Sequence, residues 1–235
     1  MGEVAGFNEG WLVLVGGGEF SFGETLEADR AWLERAPAGP VGFLPAASGS
    51  ADYPRHFASY LGETFGREVE TIPVYRERDG RRGRNAERVL ACAAVYLGAG
   101  VPDQLLEAVA LTPVHEALRE KLVRGGVVVA IGAAAQCCGA AVRSLSGGSV
   151  LPGLDLAPGL AIETNFDPAH DRRLRRLLGA DGVERGVGLP AGSALLLASG
   201  GSFEAVGDVF ALATAESDLV PMRGEGRESH GPLPG

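Results

Sequence analysis

VVVAIGAAAQCCGAAV, spanning Val127 to Val142, reads as a buried strand that runs through a turn of very small residues into a helix. In an α/β protein such a junction is the place for an elbow, a strained turn that holds a reactive side chain out beside backbone N–H groups. An elbow needs a Gly-x-nucleophile-x-Gly context. The turn expected here is Gly132-Ala133-Ala134-Ala135-Gln136, and an alanine methyl offers no nucleophile. The stretch therefore reads as the central motif of a hydrolase with its reagent absent, or displaced to Cys137.

Working outward, short apolar runs alternate with helical patterns on both sides of this junction. Trp11 to Val15 is a strand ending at Gly16-Gly17-Gly18-Glu19, and the apolar stripe Leu26, Trp32 and Leu33 predicts a helix behind it. Val41 to Leu44 is a second strand, followed by Tyr53, Phe57, Tyr60, Leu61 and Phe65 at helical spacing. Glu68 to Tyr75 alternates as a strand would, and the charged segment Arg76 to Arg84 predicts an exposed loop. Ala86 to Ala91 reads as a helix, Ala94 to Leu97 as a strand ending at Gly98-Ala99-Gly100, and Pro102 to Val109 and Val114 to Val123 as helices. Beyond the elbow come a strand at Leu160 to Thr164, a helix from Pro168 to Leu178, and strands at Ala194 to Ala198 and Phe203 to Ala213.

This order predicts an α/β fold with a mostly parallel central sheet covered on both faces and closed off by antiparallel C-terminal strands. Residues 1–215 are expected to form one domain, and residues 216–235, rich in Gly, Pro and charge, a flexible tail. Ligands in such sheets bind at the carboxyl ends of the strands. A pocket is accordingly expected from the loops at Gly16 to Glu19, Gly98 to Asp103 and Gly132 to Gln136.

Composition narrows the partners. The 235 residues carry a net charge of -9, which disfavours a nucleic-acid or anionic-membrane surface. Three cysteines, two of them adjacent at Cys137 and Cys138, form no disulfide framework, and no Cys/His pair has zinc spacing, so neither metal nor cofactor is implied. No secretory signal is visible and no apolar run is long enough to span a bilayer, which together predict a cytoplasmic protein.

The order LVGGGE (14–19), FLPAAS (43–48), YLGAG (96–100) with Asp103-Gln104, the elbow, GLDLAPGLAIETNF (153–166) and GVGLPAGSALLL (186–197) resembles the dipeptidase E and cyanophycinase family. The likeness covers about residues 11–213 and implies a serine peptidase plan on the flavodoxin-like three-layer sandwich shared with class I glutamine amidotransferases. Family members carry G-T-S-A-G-A at the elbow, and laying it without gaps on Gly132 to Cys137 puts Ala134 at the serine. Their base is a histidine in a D-x-H-F-like stretch, where this chain has Glu163-Thr164-Asn165-Phe166 and thus Asn165. A G-I-G-I-D-E-x-T-A-like element supplies their carboxylate, and here Pro190 and Ala191 stand at the acidic positions.

Loss of the nucleophile, base and acid together implies loss of serine peptidase activity, since removing triad members costs about 10⁴ to 10⁶ in rate. What the resemblance leaves is a homologue that binds a small peptide or amino acid through Gly17, Gly18, Glu19, Gly98, Ala99, Gly100, Ala133, Ala135 and Gln136. One alternative is a hydrolase or amidotransferase using Cys137, which three inserted residues would bring onto the serine position, with a helix N-terminus lowering its thiol pKa. Its bland counterpart makes Cys137 and Cys138 small buried hydrophobes. A second alternative is a structural subunit of a homodimer. His56, His115 and His170 sit on amphipathic helices and are expected to be exposed or partly packed.

Overall fold

The computed structural model describes residues 9–224 and 231–232. Its first half is a βα succession: β1 Trp11–Val15, α1 Leu26–Leu33, β2 Val41–Leu44, α2 Asp52–Phe65, β3 Val69–Thr71, α3 Glu77–Gly80, α4 Gly83–Ala91, β4 Ala94–Leu97, α5 Pro102–Val109, α6 Pro113–Val123 and β5 Val127–Ile131. Then follow α7 Ala133–Cys137, β6 Ala141–Arg143, β7 Val150–Pro152, β8 Leu160–Thr164, α8 Arg172–Leu177, β9 Arg185–Leu189, β10 Ala194–Ala198, β11 Ser202–Val206, β12 Val209–Leu212, β13 Val220–Met222 and β14 Gly231–Pro232.

Two sheets result. The larger runs β14-β11-β10-β1-β5-β4-β2-β3, with β1, β5, β4, β2 and β3 parallel to one another and β10, β11 and β14 added antiparallel. The run β3-β2-β4-β5 follows the flavodoxin-like winding, and the architecture is that α/β sandwich. The smaller sheet runs β13-β12-β9-β8-β6-β7. Only β6-β8 and β8-β9 are parallel there.

Strand alternation explains the layers, because successive side chains point to opposite faces. Trp11, Val13 and Val15 of β1 join Trp32 of α1 and Phe57 and Leu61 of α2 in one core. Leu12 and Leu14 face the other way, into a core shared with α5, α6, α7 and the inner residues Leu160, Ile162, Val187 and Leu189 of the second sheet. Ala161 and Leu212 on the outer face of that sheet pack with Leu174 and Leu177 of α8. β1, covered on both faces, therefore delivers the Gly16 loop to a fixed place between helical layers.

Four sequence expectations need correction. The second sheet is absent from a reading with one central sheet, because β6 and β7 are only three residues each and lack a long apolar run. Arg76 to Arg84 is exposed except at Asp79 and Gly80, but it is not a loop: Glu77–Gly80 is helical and α4 starts at Gly83, with Gly80 so close to Ala108 that a Cβ would lie 2.1 Å from its carbonyl oxygen. Phe203 to Ala213 is two strands in different sheets, broken at Gly207, whose φ of 70° turns the chain. The proposed tail contains β13, paired with β12 through Met222, which is buried. Of the rest of that tail, residues 225–230 and 233–235 lie outside the described residues. Among the described residues no helix is long and apolar enough to cross a membrane.

Candidate functional site

Three consecutive residues at the end of β1, Val15, Gly16 and Gly17, gather the segments that the sequence singled out. The Val15 carbonyl accepts from the Gly132 N–H at 3.0 Å. Gly16 donates to the Ser193 carbonyl at 2.9 Å and accepts from the Asn165 N–H at 2.7 Å, and the Gly17 carbonyl accepts from Gly192 at 3.0 Å. The elbow, the end of β8 and the loop holding Pro190 and Ala191 thus converge on one glycine loop at the carboxyl ends of the parallel strands. Gly16 is required by close approach, since a Cβ on it would lie 2.0 Å from the Pro190 carbonyl oxygen, and Gly17 by its φ of 129°.

The apex of the elbow is Gly132, not Ala134 or Cys137. Gly132 has φ 58° and ψ -124° and α7 begins at the next residue, so the strained strand-to-helix junction falls on it. Ala134 lies two residues further on, fully buried with Ala135, while Ala133 is half-buried at the helix start. The position that presents a side chain in an active elbow carries a hydrogen atom here. Space for a side chain exists nonetheless, because the nearest atom to a Cβ built on Gly132 is Ala99 Cβ at 3.5 Å. A gap-free reading from Gly132 as the motif's first glycine is off by two. The available signal was a glycine directly after the apolar strand, where only glycine takes φ above zero without cost.

Facing the apex is the loop Gly98-Ala99-Gly100. A Cβ on Gly98 would meet the Phe43 ring at 2.6 Å, and one on Gly100 the Ala47 carbonyl oxygen at 2.1 Å, so both glycines serve close packing. The Ala99 N–H donates to the Tyr53 hydroxyl at 3.2 Å. The amide expected to receive a ligand oxygen is thereby already partnered by a phenol, a contact that helical spacing alone gave no reason to expect. Gln136, also on the elbow helix, donates from Nε2 to Thr164 Oγ1 at 2.9 Å. Asn165 is exposed with φ 48°, a conformation Asn tolerates better than most residues. Ala191 and Glu19 are exposed and Gly18 is half-buried; the Glu19 N–H donates to the Glu24 carboxylate at 2.7 Å.

Tyr53 is itself held by an aromatic set that ends on a buried acid. It stacks against Phe20 at 6.1 Å, Phe20 packs on Tyr60 at 5.1 Å, and the Tyr60 hydroxyl donates to Asp29 at 2.8 Å. Asp29 also accepts from Thr25 Oγ1 at 2.7 Å and Trp32 Nε1 at 2.9 Å. Burial raises its carboxyl pKa above the ordinary 3.8, against the lowering effect of these donors. Above that ordinary value the unfolded chain has released the proton while the folded chain retains it, so Asp29 makes stability fall as pH rises towards the folded pKa. Asp29→Asn does not titrate. The stability of wild type relative to Asp29→Asn, measured by urea unfolding between about pH 7 and about pH 4, is therefore expected to grow as pH is lowered. A difference that shrinks on acidification would contradict this account.

Cys137 is the last residue of α7, fully buried, with its Sγ directed at the Pro102 carbonyl 3.7 Å away. Burial pushes its thiol well above the ordinary value, and that of Cys138 up to about 12. The low-pKa nucleophile of the alternative reading is the opposite of what this environment produces. All three cysteines, Cys92 included, are buried. Iodoacetamide is expected to leave the folded chain unlabelled over a period in which the urea-unfolded chain reacts at all three. Rapid labelling of Cys137 in the folded chain would sink this expectation.

The remaining candidates divide. Glu163, beside the base position, is buried with its pKa raised by desolvation, and its carboxylate lies 3.8 Å from Arg173 on α8. His170 is exposed and paired with Asp167 at 2.6 Å, and His56 is exposed. His115 departs from expectation: it is buried, with Nε2 2.7 Å from the Leu154 carbonyl oxygen. Among the described residues no group of His, Cys, Asp and Glu is arranged to hold a metal ion.

Fold and elbow together define a class, the α/β sandwiches with a strand-turn-helix elbow at the carboxyl ends of a parallel sheet. Within it, solved structures supply the comparison. The chain is similar to a peptidase from an acI-B1 Actinobacterium, at 19% identity and TM-score 0.73, over 93% of this chain and 96% of that one. It is also similar to a candidate Peptidase E protein from Listeria monocytogenes, at 12% identity and TM-score 0.60, over 92% of this chain and 98% of that one. At these identities the likeness is one of fold, which is peptidase-E-like. No family model matches the chain, and no curated protein matches it by sequence.

Proposed function

We propose that this chain is a non-hydrolysing homologue of the dipeptidase E type, which binds a small peptide or amino acid at the carboxyl ends of its parallel strands. The observation that carries the reading is Gly132: the residue in the elbow conformation has no side chain, so no atom can attack a carbonyl there. Asn165 at the base position and Pro190 and Ala191 at the acidic positions agree with it, since the hub around Gly16 brings those segments to the same place. The surrounding Gly16–Gly18 and Gly98–Gly100 loops support binding, because their close-packed backbones preserve the walls of the site. Calorimetric titration with an aspartyl dipeptide, paired with an assay for released amino acid, tests both halves. Binding without product is expected. Absence of binding would remove the ligand reading, and turnover at peptidase rates would remove the loss of chemistry.

A further inference from the structure

At the opposite end of β1 from the elbow, a cavity of about 320 Å³ opens between the two sheets. Leu12 and Leu197 form its floor; they are paired in register across β1 and β10 and so point to the same face. Leu122 at the end of α6, and Leu156, Pro158 and Leu160 leading into β8, form its other walls. It continues the core shared by the two sheets, and Leu122, Leu156 and Leu197, which pack against that core, are only partly buried. Among the described residues no Asp, Glu, Lys, Arg or His lines the cavity, and the polar side chains there are the hydroxyls of Ser199 and Ser202. Ser199 Oγ already accepts from the Gly10 N–H at 3.1 Å, which leaves Ser202 as the second hydroxyl there.

We infer that this cavity is a binding site for an uncharged aliphatic chain of small-ligand size, seated on the leucines with its head group at Ser202. The volume stands at the lower end of the range for small-molecule sites, and its concave aliphatic walls with few polar groups match their composition. A charged head would find no counter-ion among the described lining residues. β1 advances about 13 Å between Trp11 and Val15, so the cavity lies apart from the elbow and its occupant need not meet a peptide ligand.

Calorimetric titration of the full chain with 1-octanol and shorter alcohols tests the site. Saturable binding is expected, weakening about fourfold for each methylene removed, as burial of apolar surface dictates. Leu197→Trp, which fills the cavity from its floor, is expected to abolish octanol binding while leaving aspartyl dipeptide binding unchanged. Leu156→Phe fills it from the partly exposed loop and gives the same readout should Leu197→Trp fail to fold. No saturable binding by wild type, or octanol affinity unchanged in a folded filling variant, would overturn the inference.

Discussion

Against an aspartyl dipeptide the chain is expected to turn over about 10⁴- to 10⁶-fold more slowly than a triad-bearing serine peptidase of the same fold, the range seen when triad members are removed. The reason is local. Attack needs an oxygen or sulfur projecting from the elbow apex, and Gly132 supplies only hydrogen. The nearby thiols give no substitute, because Cys137 is buried and kept protonated five residues away. Gly132→Ser is expected to fold, since the new Cβ meets nothing closer than Ala99 Cβ at 3.5 Å, yet to gain little alone, because no base takes the serine proton. Gly132→Ser combined with Asn165→His provides both, and a gain of about 10²-fold or more over either single variant is expected, the usual contribution of general base catalysis. The comparison is read as kcat/KM for each variant and the triad-bearing enzyme under one set of conditions. Wild-type rates within tenfold of that enzyme would refute the mechanism, as would an equal gain from Gly132→Ser with and without the histidine.

Gly16→Ala is expected to lower stability by about 3 kcal/mol or more, an overpacking cost at the upper end of the usual range. The methyl would lie 2.0 Å from the Pro190 carbonyl oxygen and 2.5 Å from that of Leu189. Neither obstacle is a flexible side-chain end that can swing away. Relief requires moving the loop after β9, and that movement strains the bonds Gly16 makes to Ser193 and Asn165. For a chain of this size the melting temperature should fall by roughly 6–12 °C. Gly132→Ala serves as the control: it lacks the collision and bears only the cost of a non-glycine residue in this strained backbone conformation, about 1–3 kcal/mol. A Gly16→Ala variant melting no lower than Gly132→Ala would show that the hub yields more easily than its geometry implies.

Several elements were legible to the residue. Ala94–Leu97, Pro102–Val109, Leu160–Thr164 and Ala194–Ala198 fall where apolar runs meet glycine or proline, and buried strands and proline-started helices announce themselves in this way. The second sheet was hidden because Ala141–Arg143 and Val150–Pro152 are too short to show alternation and are separated by Ser and Gly. Asp79 departs from the reading of Arg76 to Arg84 as a solvated loop: it is buried near Arg78 and Arg82 while the arginines around it are exposed, and composition cannot reveal such pairing. The site was legible as a set of loops and misread in frame. Ala133, Ala134 and Ala135 are chemically identical, so nothing in their side chains distinguishes apex from helix. The backbone angles of Gly132 do.

Those same angles bear on reversibility. In an armed elbow the apex residue is a loaded spring, an L-amino acid kept in a disfavoured conformation that costs about 1–3 kcal/mol. Glycine at φ 58° is at rest. Any reactive side chain placed at residue 132 must load the spring before it does any chemistry, and the stability for that has to come from elsewhere in the chain. The bend is therefore thermodynamically one-sided, in that glycine leaves the scaffold relaxed and any other residue works against it.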